Sequence, residues 1–139
     1  MDINALKTGL YNLLTSGSNP FITACPKIFF VDDVSDVDSV TYPYTVYQFT
    51  PGKYEFDSGT DFVTMNVQFS IFDKQGGSSL NVGSMGSKLD TLLNNSEHSL
   101  TVSGYIILNV KRLNPPVDKI TFSEHWMEIR DYKIEMQKI

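Results

Sequence analysis

The stretch from Phe62 to Phe72 limits the fold more than any other part of the chain. Val63, Met65, Val67, Phe69 and Ile71 alternate with Thr64, Asn66, Gln68 and Ser70. Successive side chains on a strand point to opposite faces, so this period of two predicts a long strand with one apolar and one polar face. Other elements of the chain must cover the apolar face. The polar face is left for water or for a partner.

Two segments have the pattern to do the covering. Ile3, Leu6, Leu10, Leu13 and Leu14 recur at helical spacing and predict an amphipathic helix from Asp2 to Thr15. Asp2 suits its start, Gly17 its end, and Ser16 to Pro20 is turn chemistry. Val82, Met85, Leu89, Leu92 and Leu93 repeat the spacing, predicting a second helix from Ser78 or Ser79 to Asn94. Asn94-Asn95 suits a left-handed helix end. Gly83 and Gly86 weaken this helix by roughly 1 kcal/mol each relative to Ala, so packing must compensate.

Four more strands are expected: Lys27 to Val31, Tyr42 to Thr50, Tyr105 to Leu113 and Glu124 to Met136. In the second of these, Tyr44 and Val46 face one way and Thr45, Tyr47 and Phe49 the other. Bulk on both faces predicts a central or doubly covered strand. In the third, Ile106, Leu108 and Val110 share the apolar face until Pro115-Pro116 breaks the strand. The last strand slips phase: Met127 and Ile129 hold one parity, Tyr132, Ile134 and Met136 the other. A β-bulge near Arg130-Asp131 would realign them. Residues 32–41 read as an acidic loop and 51–61 as a long hairpin connection. The fold expected is an α+β two-layer sandwich. Its mixed or antiparallel sheet has four to five strands, covered on one face by two amphipathic helices, with 1–139 as a single domain.

The charge balance narrows the partners. Eleven basic residues against sixteen acidic give a net charge of -5, which argues against a nucleic-acid binder. No base lies between Lys27 and Lys53, but Asp32, Asp33, Asp36 and Asp38 do. The single cysteine, Cys25, rules out an internal disulfide and fits a reducing compartment. The N-terminus lacks a basic signal-peptide region, and no apolar run approaches the ~20 residues that cross a bilayer. A soluble protein made in the cytoplasm, with no membrane partner, is expected.

No motif supports chemistry. Glu97-His98 and Glu124-His125 lie in different segments without metal-ligand spacing, so both histidines read as ordinary surface or edge residues. The aspartates of 32–38 resemble a calcium loop in composition, but the bend glycine is missing. A solvated acidic loop is the plainer reading and weak divalent-ion binding the other. Gly76 to Lys88 is rich in glycine, yet Ser87 follows Gly86 where a phosphate loop needs Lys, and the dinucleotide spacing is absent. A tight turn with a close helix contact at Gly83 and Gly86 fits better. Cys25 precedes Pro26 and reads as a small buried hydrophobe, Trp126 reads as core, and no Gly-x-Ser-x-Gly elbow occurs. No catalytic, cofactor-binding or metal residue is assigned, and no enzyme is expected.

Aromatic density points elsewhere. Tyr42, Tyr44, Tyr47, Phe49, Tyr54, Phe56 and Phe62 crowd one region. Tyr47 and Phe49 read as core. Tyr54 and Phe56, among Lys53, Glu55 and Asp57, either anchor a protein interface or fold back onto their own sheet.

Three further segments carry a family likeness: Asn4-Ala5-Leu6-Lys7 opening the first helix, Tyr42-Pro43-Tyr44-Thr45-Val46-Tyr47, and Val67-Gln68-Phe69-Ser70-Ile71-Phe72 before a capped helix. With the closing Glu128-Ile129-Arg130-Asp131-Tyr132-Lys133-Ile134, their order over nearly the whole chain resembles the tail terminator (tail completion) proteins of long-tailed bacteriophages. The glycine-containing second helix and the acidic 32–38 loop depart from that pattern. The resemblance implies a structural virion protein, made in the host cytoplasm. It would form a homo-oligomeric ring, usually a hexamer, on the head-proximal end of the tail tube. The ring would stop tube growth and provide the head–tail joining interface, with the tail tube protein and the head connector as partners. DNA would pass through the lumen without specific binding. Asp32, Asp33, Asp36 and Asp38 are candidates for an acidic lumen wall or for an outer loop. Lys53, Tyr54, Glu55, Phe56 and Asp57 are candidates for a subunit or tube contact. The rival readings are another neck or head-completion protein of the virion, and a small-molecule-sensing α+β domain using the glycine-rich turn.

Overall fold

A computed structural model describes residues 3–31, 41–50, 62–74, 80–113 and 125–139, with the backbone alone for 117–120. The elements run α1 (Ile3–Leu14), α2 (Pro20–Ala24), β1 (Ile28–Phe30), β2 (Tyr44–Thr50), β3 (Phe62–Lys74), α3 (Leu80–Leu93), β4 (Tyr105–Arg112), β5 (Val117–Ile120) and β6 (His125–Lys138). The strands form one sheet in the order β1-β2-β3-β6-β4. β5 pairs with β6 as well. β1 runs parallel to β2 and the remaining pairings are antiparallel, so the expected α+β sandwich has a mixed sheet.

The alternation of β3 is realised as read: Val63, Met65, Val67, Phe69 and Ile71 are buried and their neighbours are half-buried. They meet Leu6, Leu10 and Leu14 of α1 and Val82, Leu89 and Leu93 of α3 in one core. Tyr132, Ile134 and Met136 of β6 complete it. Two residues past the end of α3, Asn95 has a φ of 63°, the left-handed conformation that asparagine tolerates. β2 is covered on both faces: Thr45 and Tyr47 lie under the helices, while Tyr44 is buried on the opposite side against Phe72.

Two elements go beyond the sequence reading. α2 begins at the end of the expected Ser16 to Pro20 turn, where no helix was expected. Asn19 caps it by accepting from the Ile22 amide at 2.9 Å, and Pro20 sits in its first turn. The Asn19 side-chain amide also donates to the Leu14 and Ser16 carbonyls, tying α2 to the end of α1. β5 is a short strand resumed after the proline break, pairing Val117 with Ile129 and Ile120 with Trp126.

Two expectations are corrected. β6 has no bulge near Arg130-Asp131: its pairing with β3 is continuous from Phe62↔Gln137 to Lys74↔His125. The irregularity lies in β4, where Ile107 pairs with Met136 but Asn109 pairs with Glu135, leaving Leu108 as the extra residue. An extra residue inverts the parity beyond it. Ile106 and Leu108 are therefore 51% and 43% exposed, while Val110 is buried and Ile107 packs on the core. The expected shared face of Ile106, Leu108 and Val110 does not exist.

Candidate functional site

The phase slip of β6 has a different cause from a bulge. Its helix-facing positions are Trp126, Glu128, Arg130, Tyr132, Ile134 and Met136, so two charged residues lie in the covered layer. Glu128 is 1% and Arg130 5% exposed, and Arg130 Nε donates to Glu128 Oε1 at 2.5 Å. A buried charge is tolerable only when paired and hydrogen-bonded. α3 passes directly over this pair. A Cβ at Gly86 would collide with both the Glu128 carboxylate and the Arg130 guanidinium, and one at Gly83 would stand 3.6 Å from Glu128 Oε2. The close helix contact expected at these glycines is present, and what approaches is an ion pair. Asp90 of α3 extends the network. It accepts from Tyr132 Oη at 3.1 Å, meets Arg112 Nη1 at 3.3 Å and lies 4.0 Å from Arg130 Nη1. Burial, with the Asp90 charge beside it, pushes the Tyr132 hydroxyl well above its ordinary pKa. The network locks α3 to β4 and β6.

The opposite face of the sheet carries no helix among the described residues. Its middle is polar: Gln48 donates to Gln68 Oε1 at 2.9 Å, Asp131 lies across from Gln68, and Lys133 meets Glu135 at 2.9 Å. The hydrogen bond from Lys133 holds the Glu135 carboxyl below its usual range. One end is apolar. Tyr44, Phe72 and Met127 form one cross-strand row, and Val46, Ser70 and Ile129 form the next. Tyr44 stacks on Phe72 with ring centroids 4.9 Å apart, and the Tyr42 ring stacks on Tyr44 at 5.6 Å. The Tyr42 hydroxyl and His125 Nδ1 are hydrogen-bonded at 2.8 Å.

The histidines divide. His98 is exposed as expected, but His125 is buried at 8% exposure with its ring edge-on to Phe72. The surface reading of His125 is corrected, and burial lowers its pKa. Among the described residues no group of three or more His, Cys, Asp or Glu is placed to hold a metal ion. Cys25 is fully buried with Sγ 3.2 Å from Thr45 Oγ1, and burial pushes its thiol pKa up, the opposite of a nucleophile. Trp126 packs against the core. Lys53, Tyr54, Glu55, Phe56 and Asp57, and likewise Asp32, Asp33, Asp36 and Asp38, lie outside the described residues, as do Gly76, Gly77, Ser78 and Ser79. Met127 and Ile129 on the open face escaped the sequence reading, although their reversed parity was the signal for them.

These features define a two-layer α+β sandwich in which Glu128 and Arg130 pair beneath α3 and the outer sheet face carries no helix among the described residues. No family model matches the chain, and no curated protein matches it. Among solved structures, the fold is that of a chain in the virion of a native gene transfer agent particle. The TM-score is 0.78 at 9% identity, covering 97% of this chain and 96% of that one. A second solved chain aligns with a TM-score of 0.59 at 12% identity, covering 100% of this chain and 98% of that one. At such identities the likeness establishes the fold.

Proposed function

We propose that the chain is a structural, non-enzymatic protein of a bacteriophage-like virion, which closes into a ring on the head-proximal end of the tail tube. The ring ends tube polymerisation and presents a docking face to the head connector. The observation that carries this reading is the match, over nearly the full length of both chains, to a component of the gene transfer agent virion. The tail-terminator resemblance of the Tyr42-Pro43-Tyr44 entry and the Val67–Phe72 strand adds the place in the particle. The 139 residues act as one domain, six copies make the ring, and the partners are the tail tube protein and the connector. Asp32, Asp33, Asp36 and Asp38 line the lumen, where an acidic wall lets DNA pass without sticking. Lys53, Tyr54, Glu55, Phe56 and Asp57 reach a neighbouring subunit or the tube. Complementation of a phage lacking this protein tests the reading. Restored tails of uniform length support it; tails of normal length without the protein, or a defect confined to the capsid, refute it.

A further inference from the structure

A cleft of about 1090 Å³ lies between α1 and the segment 99–103 that leads into β4. It shares no lining residue with the ion-pair network or with the open sheet face. Periodicity builds both walls. Asn4, Thr8 and Asn12 recur at every fourth residue of α1, all exposed, beside the leucines that enter the core. On the other wall Leu100 and Val102 are buried, so the alternating Ser99, Thr101 and Ser103 are left exposed and line the cleft. Gly9 holds the walls together at their base, where a Cβ would collide with the Thr101 carbonyl. Leu13 and Leu92 add an apolar floor.

The chemistry of the lining selects its occupant. The polar groups of both rows are neutral amides and hydroxyls, and among the described residues no charged or aromatic side chain lines the cleft. An ionised ligand would lose water there without meeting a countercharge. A sugar ring would find no aromatic face to stack on. A peptide backbone fits. Asn4, Thr8 and Asn12 succeed one another by about 6 Å along the helix axis, and alternate residues of an extended chain repeat every roughly 6.6 Å. A helical row at this spacing stays in step with alternate peptide units over its two repeats. An asparagine amide also offers both a donor and an acceptor, the complement of a peptide C=O and N–H. We propose that this cleft binds an extended, uncharged segment of a partner protein, laid along α1 and held mainly by its backbone. Main-chain hydrogen bonds supply the affinity in such recognition, and the apolar floor receives alternate side chains. The cleft is complete within one chain, so the proposal stands apart from the ring reading.

Proton–nitrogen correlation NMR of the full chain, titrated with a capped octapeptide of alternating alanine and threonine, tests it. Asparagine side-chain amides give their own signals, so Asn4 and Asn12 report contact directly. These signals and the backbone amides of Gly9 and of 99–103 should shift together and saturate at about millimolar peptide. Asn4→Ala combined with Asn12→Ala should weaken binding about tenfold through the lost hydrogen bonds. Alanine is the better helix former, so α1 stays intact, which circular dichroism verifies. The same peptide with N-methylated amides, and one with lysine in place of threonine, should each bind at least about tenfold more weakly. Signals that stay put at millimolar peptide, shifts confined to another surface, or unchanged binding by the double variant would overturn the site. Equal binding of the methylated or the lysine peptide would overturn backbone recognition of an uncharged segment. Stronger shifts of the same signals by maltohexaose would make the cleft a saccharide site and overturn the proposal as well.

Discussion

The two halves of β6 obey opposite rules. From Tyr132 to Met136 the strand is conventional: Tyr132, Ile134 and Met136 are buried under the helices, and Lys133 and Glu135 lie on the open face. From Trp126 to Asp131 the pattern inverts. Glu128 and Arg130 go under the helix while Met127 and Ile129 face outward. The difference lies in what stands on each side. Above Trp126 to Asp131, α3 presents Gly83 and Gly86, which leave room for two long charged side chains and offer no side chain of their own to pack on them. Below it, Tyr44, Val46 and Phe72 supply apolar neighbours on the face that carries no helix among the described residues. A strand's burial pattern is thus set by its neighbours across the layer as well as by its own alternation.

Breaking the pair should have the largest effect. Arg130→Met leaves Glu128 buried without its countercharge and should cost about 3–5 kcal/mol in urea denaturation. Glu128→Leu combined with Arg130→Met should recover most of that loss, since apolar replacement of both partners is often neutral. Gly86→Ala comes next. The added Cβ overlaps the pair, so an overpacking cost of about 1–3 kcal/mol should outweigh the ~1 kcal/mol gain in helix propensity. Gly83→Ala meets only an ordinary contact at 3.6 Å and should stabilise by up to ~1 kcal/mol. Opposite signs for two glycines three residues apart would locate the pair under Gly86. Equal signs would remove the comparison.

The smallest expected effect is a pH dependence at the start of β6. Burial lowers the His125 pKa below its ordinary 6.5, so the folded state binds fewer protons than the unfolded chain. The His125 contribution is complete above 6.5 and falls away as the pH drops from there through the folded-state pKa. Denaturation midpoints followed from neutral to mildly acidic pH should show that decline, and His125→Phe should flatten it.

The elements that depend on local period were legible. The β3 alternation and the leucine faces of α1 and α3 require only an apolar layer, and they found one. What escaped depends on tertiary partners. The parity slip of β6 invited a bulge because nothing in the strand itself announces that a helix glycine will sit over Glu128. The bulge at Leu108 hides inside Ile106-Ile107-Leu108, where either parity looks apolar. Asn19-Pro20 reads equally as a turn or as a helix cap, and the five-residue α2 is too short for periodicity to decide. Of the candidate site, the polar face of β3 was readable, whereas the burial of Glu128 and Arg130 emerges only once α3 is set over β6.

Negative-stain electron microscopy of the purified protein mixed with tail tubes tests the central claim most directly. The account predicts closed rings seated on one end of each tube, the end that joins the head, and tubes that no longer elongate when tube protein is added. Tubes that bind the protein along their sides, or that keep growing with the protein present, would contradict it.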